Sequence, residues 1–200
     1  KNWTATPEEI SGQICEGIEK LIHKVDAFIV MDQVDIEETG VITSQILERL
    51  GQIQEQNPEK LIIADSRRGL QSYPNLTYKM NANELAAWKG CSKMSLDQVK
   101  NESFQIARKS GQPVFVSMAD QGITGVIPKG DQAHAASLPL RGPIDIVGAG
   151  DSVTANLCAS LAAGASLDEA LQLSMRAASC VIHQLGTTGT ATRRDLLQFA

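Results

Sequence analysis

The sequence predicts an α/β fold in which helices cover both faces of a mostly parallel sheet. Short apolar runs such as Leu61-Ile62-Ile63-Ala64 are typical of buried strands, and the amphipathic segments of about ten or more residues between them are typical of helices. Their alternation favours a sheet between two helical layers. The chain has 200 residues, 42% of them hydrophobic and 20% charged, so it can bury a sizeable core. It shows no repeat, linker or low-complexity run, so residues 1–200 are predicted to form a single α/β unit.

The first half of the chain alternates helix and strand. Thr6-Pro7-Glu8-Glu9 predicts a helix start with Thr6 as the N-cap and Glu9 at the capping-box position. Apolar residues at helical spacing carry this helix to about Lys24. The next predicted elements are a buried strand over 27–31, a helix over 41–56, a buried strand over 61–64 ending on Asp65, a short strand over 77–80 and a helix over 83–88.

The second half continues the alternation and adds a hairpin. Ser95, with Gln98 three residues later, predicts a capped helix that ends at Gly111. A strand over 113–118 and a hairpin through 123–127 follow. Beyond a polar stretch, the predicted elements are a small-residue helix ending at Ala163, a helix from the Ser166 cap to about Gln184 and a short helix capped by Thr192.

Charge and cysteine content exclude several classes of function. The net charge is −5 and the basic residues are scattered, which disfavours a nucleic-acid groove or an anionic membrane surface as partner. The apolar runs are far shorter than the roughly 20 residues that span a bilayer, and the N-terminal residues show no signal-peptide pattern. The four cysteines form no CxxC pair, which disfavours a zinc site, and reduced thiols predict a cytoplasmic protein.

The clearest chemical signal is Gly148-Ala149-Gly150-Asp151 at the predicted start of a helix. Small residues leave the backbone N–H groups uncovered at the positive end of the helix dipole, where a phosphate can approach closely. A carboxylate at Asp151 repels a resting phosphate, so its presence indicates a base that takes a proton from an attacking hydroxyl. The alternative is that Asp151 only caps the helix.

Two further polar segments follow predicted strands. The segment 79–84 offers one cation, Lys79, and oxygen ligands at Asn81 and Glu84, which suits ATP phosphates with Mg²⁺. The alternative is a helix N-cap supported by Glu84. Segment 117–122 indicates a turn with a hydroxyl group and a glycine. Ligands bind beyond the carboxyl ends of parallel strands, so we expect one rim to hold Asp65, Asn81, Ser117 and Gly148.

Taken in order, these segments resemble the second half of the PfkB/ribokinase family of carbohydrate kinases. Strand–Asp65 is followed by Lys79-x-Asn81-x-x-Glu84, then Ser117-x-Ala119-x-x-Gly122, then Asp145-x-x-Gly148-Ala149-Gly150-Asp151. The family shows K-P-N-x-x-E, T-x-G-x-x-G and D-T-x-G-A-G-D at the last three. The resemblance spans nearly the whole chain from Pro7. Asp32, segment 65–73 and the tail 185–192 resemble the branch that acts on heptose phosphates.

The resemblance implies a ribokinase-like three-layer α/β/α fold whose N-terminal part, with the lid and most sugar contacts, is absent from this chain. It implies ATP-dependent phosphoryl transfer to a hydroxyl of a sugar or sugar phosphate, and an isolated fragment without activity. A vitamin or nucleoside kinase of the same superfamily and a non-catalytic nucleotide-binding module remain alternatives. The resemblance also leaves a homodimer open.

The resemblance further assigns a role to each matching residue. Asp151 is implied to be the general base, beside an anion hole made by Gly148, Ala149 and Gly150. The residues implied to bind the nucleotide are Lys79, Asn81, Ser117, Ala119 and Gly122. Asn81 and Glu84 are implied to organise Mg²⁺ through water, and Asp145 belongs to a loop that binds K⁺ in some members.

Three residues depart from the family pattern. Ile146 replaces the usual Thr after Asp145, which bears on the K⁺ site, and Met80 replaces Pro. Ala119 stands where the family has Gly, so we expect the backbone there to lie farther from the nucleotide phosphates.

Overall fold

A six-stranded sheet organises residues 3–198, the part of the chain that this computed structural model describes. Residues 1–2 and 199–200, included in the predicted unit, lie outside the described residues. Strands pair in chain order, the first four in parallel and the last two antiparallel. The strands are β1 (Ala27–Asp32), β2 (Leu61–Ser66), β3 (Thr77–Asn81), β4 (Val114–Ser117), β5 (Ile123–Val126) and β6 (Gln132–Ala135). The predicted mostly parallel α/β sheet is confirmed.

Helices cover both faces of the sheet, which confirms the three-layer α/β/α arrangement. The first four helices contribute to one hydrophobic cluster, and the fifth and sixth form a second cluster on the opposite face. The seventh packs on the sixth. The helices are α1 (Glu8–Leu21), α2 (Ser44–Gln56), α3 (Ala82–Trp88), α4 (Leu96–Ser110), α5 (Ala149–Ala162), α6 (Leu167–Ile182) and α7 (Arg193–Leu197).

The central strands are apolar on both faces because both faces are covered. In β4, Val114 and Val116 belong to the first cluster, whereas Phe115 between them belongs to the second. In β2, Ile62 and Ile63 divide in the same way, and all of these side chains are fully buried. Burial of each such side chain contributes about 1.5–3 kcal/mol to the free energy of unfolding, so packing on both faces stabilises the sheet.

Two strands differ from the predictions. We expected β1 to be buried, but it is an edge strand, and Ile29 is 41% exposed because none of the described residues pairs with its outer side. Strand β6 was not predicted, because Gln132-Ala133-His134-Ala135 has no apolar run and forms a strand only through its pairing with β5.

Helix starts are governed by local hydrogen bonds. The predicted cap at Thr6 is wrong: α1 follows Pro7 without a side-chain cap, and the Thr6 hydroxyl donates to the Gly40 carbonyl at 2.7 Å. Helix α2 starts at Ser44 and not at residue 41, because Thr43 caps it. The predicted caps at Ser95, Ser166 and Thr192 are confirmed, each as a capping box. In residues 3–198 no helix is long and apolar enough to cross a membrane.

Candidate active site

The carboxyl edge of the parallel strands brings together the polar residues predicted to share a rim. Asn81 and Ser117 end β3 and β4 as direct partners in the register, and Asp65 stands near the end of β2. Helix α5 joins this edge through Thr154 in its second turn, whose hydroxyl donates to Asp65 Oδ2 at 3.0 Å. The sheet therefore holds the start of α5 above the ends of β2 and β3.

The start of α5 carries unused backbone donors. Gly148 has a φ of 82°, and a Cβ atom there would meet Thr188 Cγ2 at 2.7 Å, so the turn requires glycine. The Ala149 N–H donates to the Ile146 carbonyl at 3.2 Å, which removes it from the anion hole expected over 148–150. The N–H groups of Gly150 and Asp151 have no acceptor among residues 3–198, as expected for a first helical turn.

Asp151 projects from the first turn of α5 and is exposed. Its carboxylate makes no hydrogen bond or ion pair with any described residue, and α5 has no side-chain cap. The alternative that the Asp151 side chain caps this helix through a hydrogen bond is therefore not realised. A free carboxylate beside two free amide donors is the arrangement that a base next to an anion site requires.

Lys79 lies beneath this turn. It is 5% exposed, its ammonium pairs with Asp65 Oδ2 at 2.8 Å, and it lies 3.6 Å from the point that a Cβ atom on Gly150 would occupy. Thr154 donates to the same Asp65 oxygen and lies equally close to the Gly150 carbonyl, both at 3.0 Å. A buried positive charge and the positive end of α5 thus converge on one place.

Asn81 and Glu84 form the capping box of α3. The Asn81 Oδ1 atom accepts from the N–H groups of Asn83 and Glu84 at 2.9 Å, and Glu84 Oε2 accepts from the Asn81 N–H at 2.7 Å. The helix-cap alternative is thus realised. Burial raises the pKa of the Glu84 carboxyl, and the negative charge of Asp65 adds to the rise.

The residues at this edge also fit Mg²⁺ in its usual protein setting. In the capping box Glu84 Oε2 accepts from the Asn81 N–H, and carboxylate oxygens of this kind are the hard donors that Mg²⁺ prefers. No cluster of three or more His, Cys, Asp or Glu side chains occurs in the described chain. A magnesium ion here would therefore take most of its ligands from water and phosphate, as it commonly does.

The turn after β4 has an unusual backbone. Ala119 has a φ of 49°, so it adopts the left-handed conformation that glycine would favour, although the family glycine is missing. At Gly122 a Cβ atom would collide with the Ala135 carbonyl oxygen of β6. Gly122 is thus required by the sheet itself. The Ser117 hydroxyl is 3.5 Å from the Met80 carbonyl, a weak contact.

Asp145 connects the loop before α5 to the loop after α6. Its carboxylate accepts from the Val147 N–H at 3.0 Å and from the Gly186 N–H at 3.2 Å, and its own N–H donates to the Ile182 carbonyl. These hydrogen bonds give the Asp145 carboxylate a structural role that does not depend on a bound cation. The role of Asp145 in binding K⁺ stays a prediction.

Sequence reasoning did not assign the contacts around Asp32. This carboxylate is 2% exposed, and its Oδ2 atom accepts from Arg68 Nη2 at 2.6 Å and from the Tyr73 hydroxyl at 3.1 Å. Burial raises the pKa of Tyr73 to about 12, so it remains a donor. Arg68 and Tyr73 also line a cleft of about 470 Å³ beside the N-terminal turn of α2. The signal that could have indicated this group is a charged residue at the end of an apolar strand.

The three layers and the free amide groups at the start of α5 define an α/β protein whose sheet edge carries unpaired helix N-terminal donors. The chain belongs to the pfkB family of carbohydrate kinases, whose sequence pattern matches residues 20–193. It is 24% identical to the bifunctional protein HldE of Bradyrhizobium sp. over 200 residues and 30% identical to that of Paramagnetospirillum magneticum over 182 residues. These alignments cover 96% and 90% of this chain but only 39% and 36% of the relatives.

Solved structures of the same fold are similarly longer. Phosphofructokinase-2 from Escherichia coli in complex with potassium aligns with a TM-score of 0.75 and 23% identity, over 97% of this chain and 62% of its own. Ribokinase from Arabidopsis thaliana, complexed with ribose and ATP, aligns with a TM-score of 0.75 and 17% identity, over 97% of this chain and 59% of its own. These similarities confirm the ribokinase-like fold.

Proposed function

We propose that this chain is the C-terminal, nucleotide-binding and catalytic portion of a larger ATP-dependent carbohydrate kinase. The reaction is phosphoryl transfer from ATP to a hydroxyl of a sugar or sugar phosphate. The observation that carries the proposal is the free, exposed carboxylate of Asp151 in the first turn of α5, beside the free N–H groups of that turn. A protein that only binds nucleotide has no need of a base at this place.

In this proposal the catalytic work is positioning and electrostatic stabilisation, with one proton transfer. Asp151 accepts the proton of the sugar hydroxyl as that oxygen attacks. The N–H groups of Gly150 and Asp151 and the ammonium of Lys79 stabilise the charge that builds on the transferred phosphoryl group. Mg²⁺, when bound, supplies charge neutralisation on the phosphate oxygens, with Asn81 and Glu84 holding its water ligands.

The open edge of β1 supports the proposal that the chain is part of a larger domain. Its six residues have no strand partner on the outer side among residues 3–198, and the partly exposed Ile29 adjoins a groove lined by Ala155 and Cys158. The relatives are longer than this chain, so they contain further residues that could cover this edge of the sheet. We therefore expect the 200-residue chain alone to bind nucleotide weakly and to lack sugar kinase turnover.

Among substrates we favour a sugar phosphate, specifically of the heptose-phosphate type. The sequence resemblance at Asp32 and segment 65–73 supports this choice, since the charged group of Asp32 and Arg68 lies at the same carboxyl edge of the parallel sheet as the proposed site. The proposal also includes a cytoplasmic location, where ATP and phosphorylated sugars occur. A monovalent cation and a homodimer belong to it as predictions of the family resemblance.

The test is Asp151→Asn in the full-length protein. Asn is nearly isosteric but cannot accept the proton, and loss of a general base lowers kcat by about 10²–10⁴-fold. Because the Asp151 side chain caps nothing, the free energy of unfolding should change by less than the ~1 kcal/mol typical of a lost cap. ADP affinity should be retained. Asp168→Asn, in the first turn of α6, is the matched control and should leave kcat unchanged.

A panel of sugars, sugar phosphates, nucleosides and vitamins, measured by coupled ADP release, separates the candidate substrates. Turnover with nucleosides or vitamins alone would favour the other branches of the superfamily. If kcat of Asp151→Asn stays within a few-fold of wild type, the catalytic role is wrong. Absence of turnover on the whole panel, with ADP binding intact, would favour the non-catalytic module.

A further inference from the structure

The buried ammonium of Lys79 has unused hydrogen-bonding capacity. An ammonium group carries three donors, yet among the described residues its only acceptor is Asp65 Oδ2 at 2.8 Å. The residue is 5% exposed, so its remaining donors are largely withheld from solvent. Asp65 thus satisfies the charge of Lys79 through one hydrogen bond, and the remaining ammonium donors leave room for a further acceptor.

The direction of Lys79 indicates where that acceptor binds. On β3, Tyr78 and Met80 belong to the cluster beneath α4, whereas Lys79 points to the opposite face, below the first turn of α5. Its Nζ atom lies 3.6 Å from the position of a Cβ on Gly150, whose N–H group is also without an acceptor. An anion placed at this turn is thus within reach of both groups.

Asp65 determines the position of Lys79. One of its oxygens accepts from Lys79 on the neighbouring strand and from the hydroxyl of Thr154 one turn into α5. That single oxygen therefore connects β2, β3 and the helix start. Asp65 is the carboxylate that pairs directly with Lys79 when no anion is present, whereas Glu84 interacts with Lys79 only through its charge, and the Asp65 side chain is only 15% exposed.

We propose that Asp65 is a positioning residue that holds the Lys79 ammonium beneath Gly150 as its resting counter-charge, and that the nucleotide phosphates become a second partner of Lys79 on binding. This inference rests on the proposed function. It assigns to Asp65 a role that acts through Lys79 and not through direct contact with the sugar. It also explains why a site for anions contains a buried carboxylate: without one, the unliganded site would bury an unpaired lysine.

The test compares how ADP stabilises the full-length wild type and Asp65→Asn. The amide keeps the shape and the acceptor oxygen but removes the counter-charge, so the Tm of the unliganded variant should fall. Bound ADP then provides the missing counter-charge, so the ADP-induced rise in Tm should be larger in the variant than in wild type. If the Asp65–Lys79 ion pair only joins the helix to the sheet, Asp65→Asn would lower the Tm of the unliganded protein without enlarging the ADP-induced rise in Tm.

Two controls keep the outcome interpretable. Glu102→Gln breaks the ion pair with Lys89, also 2.8 Å long but away from the strand ends, and should leave the ADP-induced rise unchanged. If Asp65→Asn fails to fold, the double variant Lys79→Met/Asp65→Asn removes both charges. It should recover the Tm of the unliganded protein while its ADP-induced rise falls below that of wild type.

The outcomes separate this inference from the proposed function. An equal ADP-induced rise in wild type and Asp65→Asn, or an undiminished rise in the double variant, would overturn the inference and leave the proposed function standing. A wild-type protein whose Tm does not respond to ADP at all would overturn both.

Discussion

Gly150→Ala should stabilise the fold and weaken nucleotide binding at the same time. Gly150 has an ordinary helical backbone, and a Cβ atom there would meet only the Nζ atom of Lys79, at a normal contact distance of 3.6 Å. Glycine within a helix costs about 0.8–1 kcal/mol relative to alanine. Because nothing in the fold requires glycine here, the substitution should raise the free energy of unfolding by up to about 1 kcal/mol.

The effect on the ligand has the opposite sign. The added methyl group would lie 3.6 Å from the Lys79 ammonium and next to the Gly150 N–H, so it would crowd the place where the proposed phosphate binds. A hydrogen bond to a charged group contributes about 1.5–3 kcal/mol, and about 1.4 kcal/mol corresponds to a factor of ten. Loss of one such bond should therefore weaken ADP binding by about tenfold or more.

The assay is urea unfolding together with calorimetric titration of ADP. Gly12→Ala in α1, where a Cβ meets nothing within 4 Å, is the matched control and should give the same stabilisation with unchanged ADP affinity. Gly148→Ala should instead destabilise, by about 1–2 kcal/mol or more, because its φ is 82° and Thr188 lies in the way. Wild-type ADP affinity in Gly150→Ala would refute the reasoning.

Two further substitutions test the fold around the site. Gly122→Ala should lower the free energy of unfolding by about 3–5 kcal/mol in urea. Its backbone (φ 91°, ψ −137°) lies in a region almost exclusive to glycine, which costs another residue about 1–3 kcal/mol, and displacement of the Ala135 carbonyl would cost about two β5–β6 hydrogen bonds of about 1 kcal/mol each. Gly111→Ala, at a φ of 70° with open space, should lower it by only about 1–2 kcal/mol, from left-handed strain. Glu84→Gln should preserve the capping box but flatten the pH dependence of stability. Burial raises the folded-state pKa of Glu84 above the ordinary value of 4.5. The contribution of its titration to the free energy of unfolding is therefore greatest below pH 4.5 and is lost as pH rises through the folded-state pKa. The free energy of unfolding of the variant relative to wild type should accordingly increase as pH rises from 4.5 towards neutral.

Local sequence patterns were sufficient where a structure depends on residues close in the chain. The Ser95 cap, with Gln98 three residues on, and the stop at Gly111 are of this kind. The pattern Asn81-x-x-Glu84 likewise contained its capping box, although the same residues also suited a magnesium site.

Features that depend on sheet register were not accessible in this way. The Lys79–Asp65 ion pair joins residues 14 positions apart and exists only because β2 and β3 lie side by side. The exposure of Ile29 depends on which side of β1 is unpaired, and its apolar neighbours carry no information about that. Strand β6 has too few apolar residues to be recognised without its partner.

The sequential strand order has a consequence for how the polypeptide reaches this state. Every strand pairs with the one before it in the chain, so no strand must wait for a later one to insert between two neighbours. Sheet growth can then follow synthesis strand by strand from the N-terminal side. Among the strands the β4–β5–β6 meander comes last, and hairpins of this kind form within about 1–10 μs. The sheet of this half can thus assemble through short loop closures, whereas α5 must return across the sheet to pack on β1 and β2.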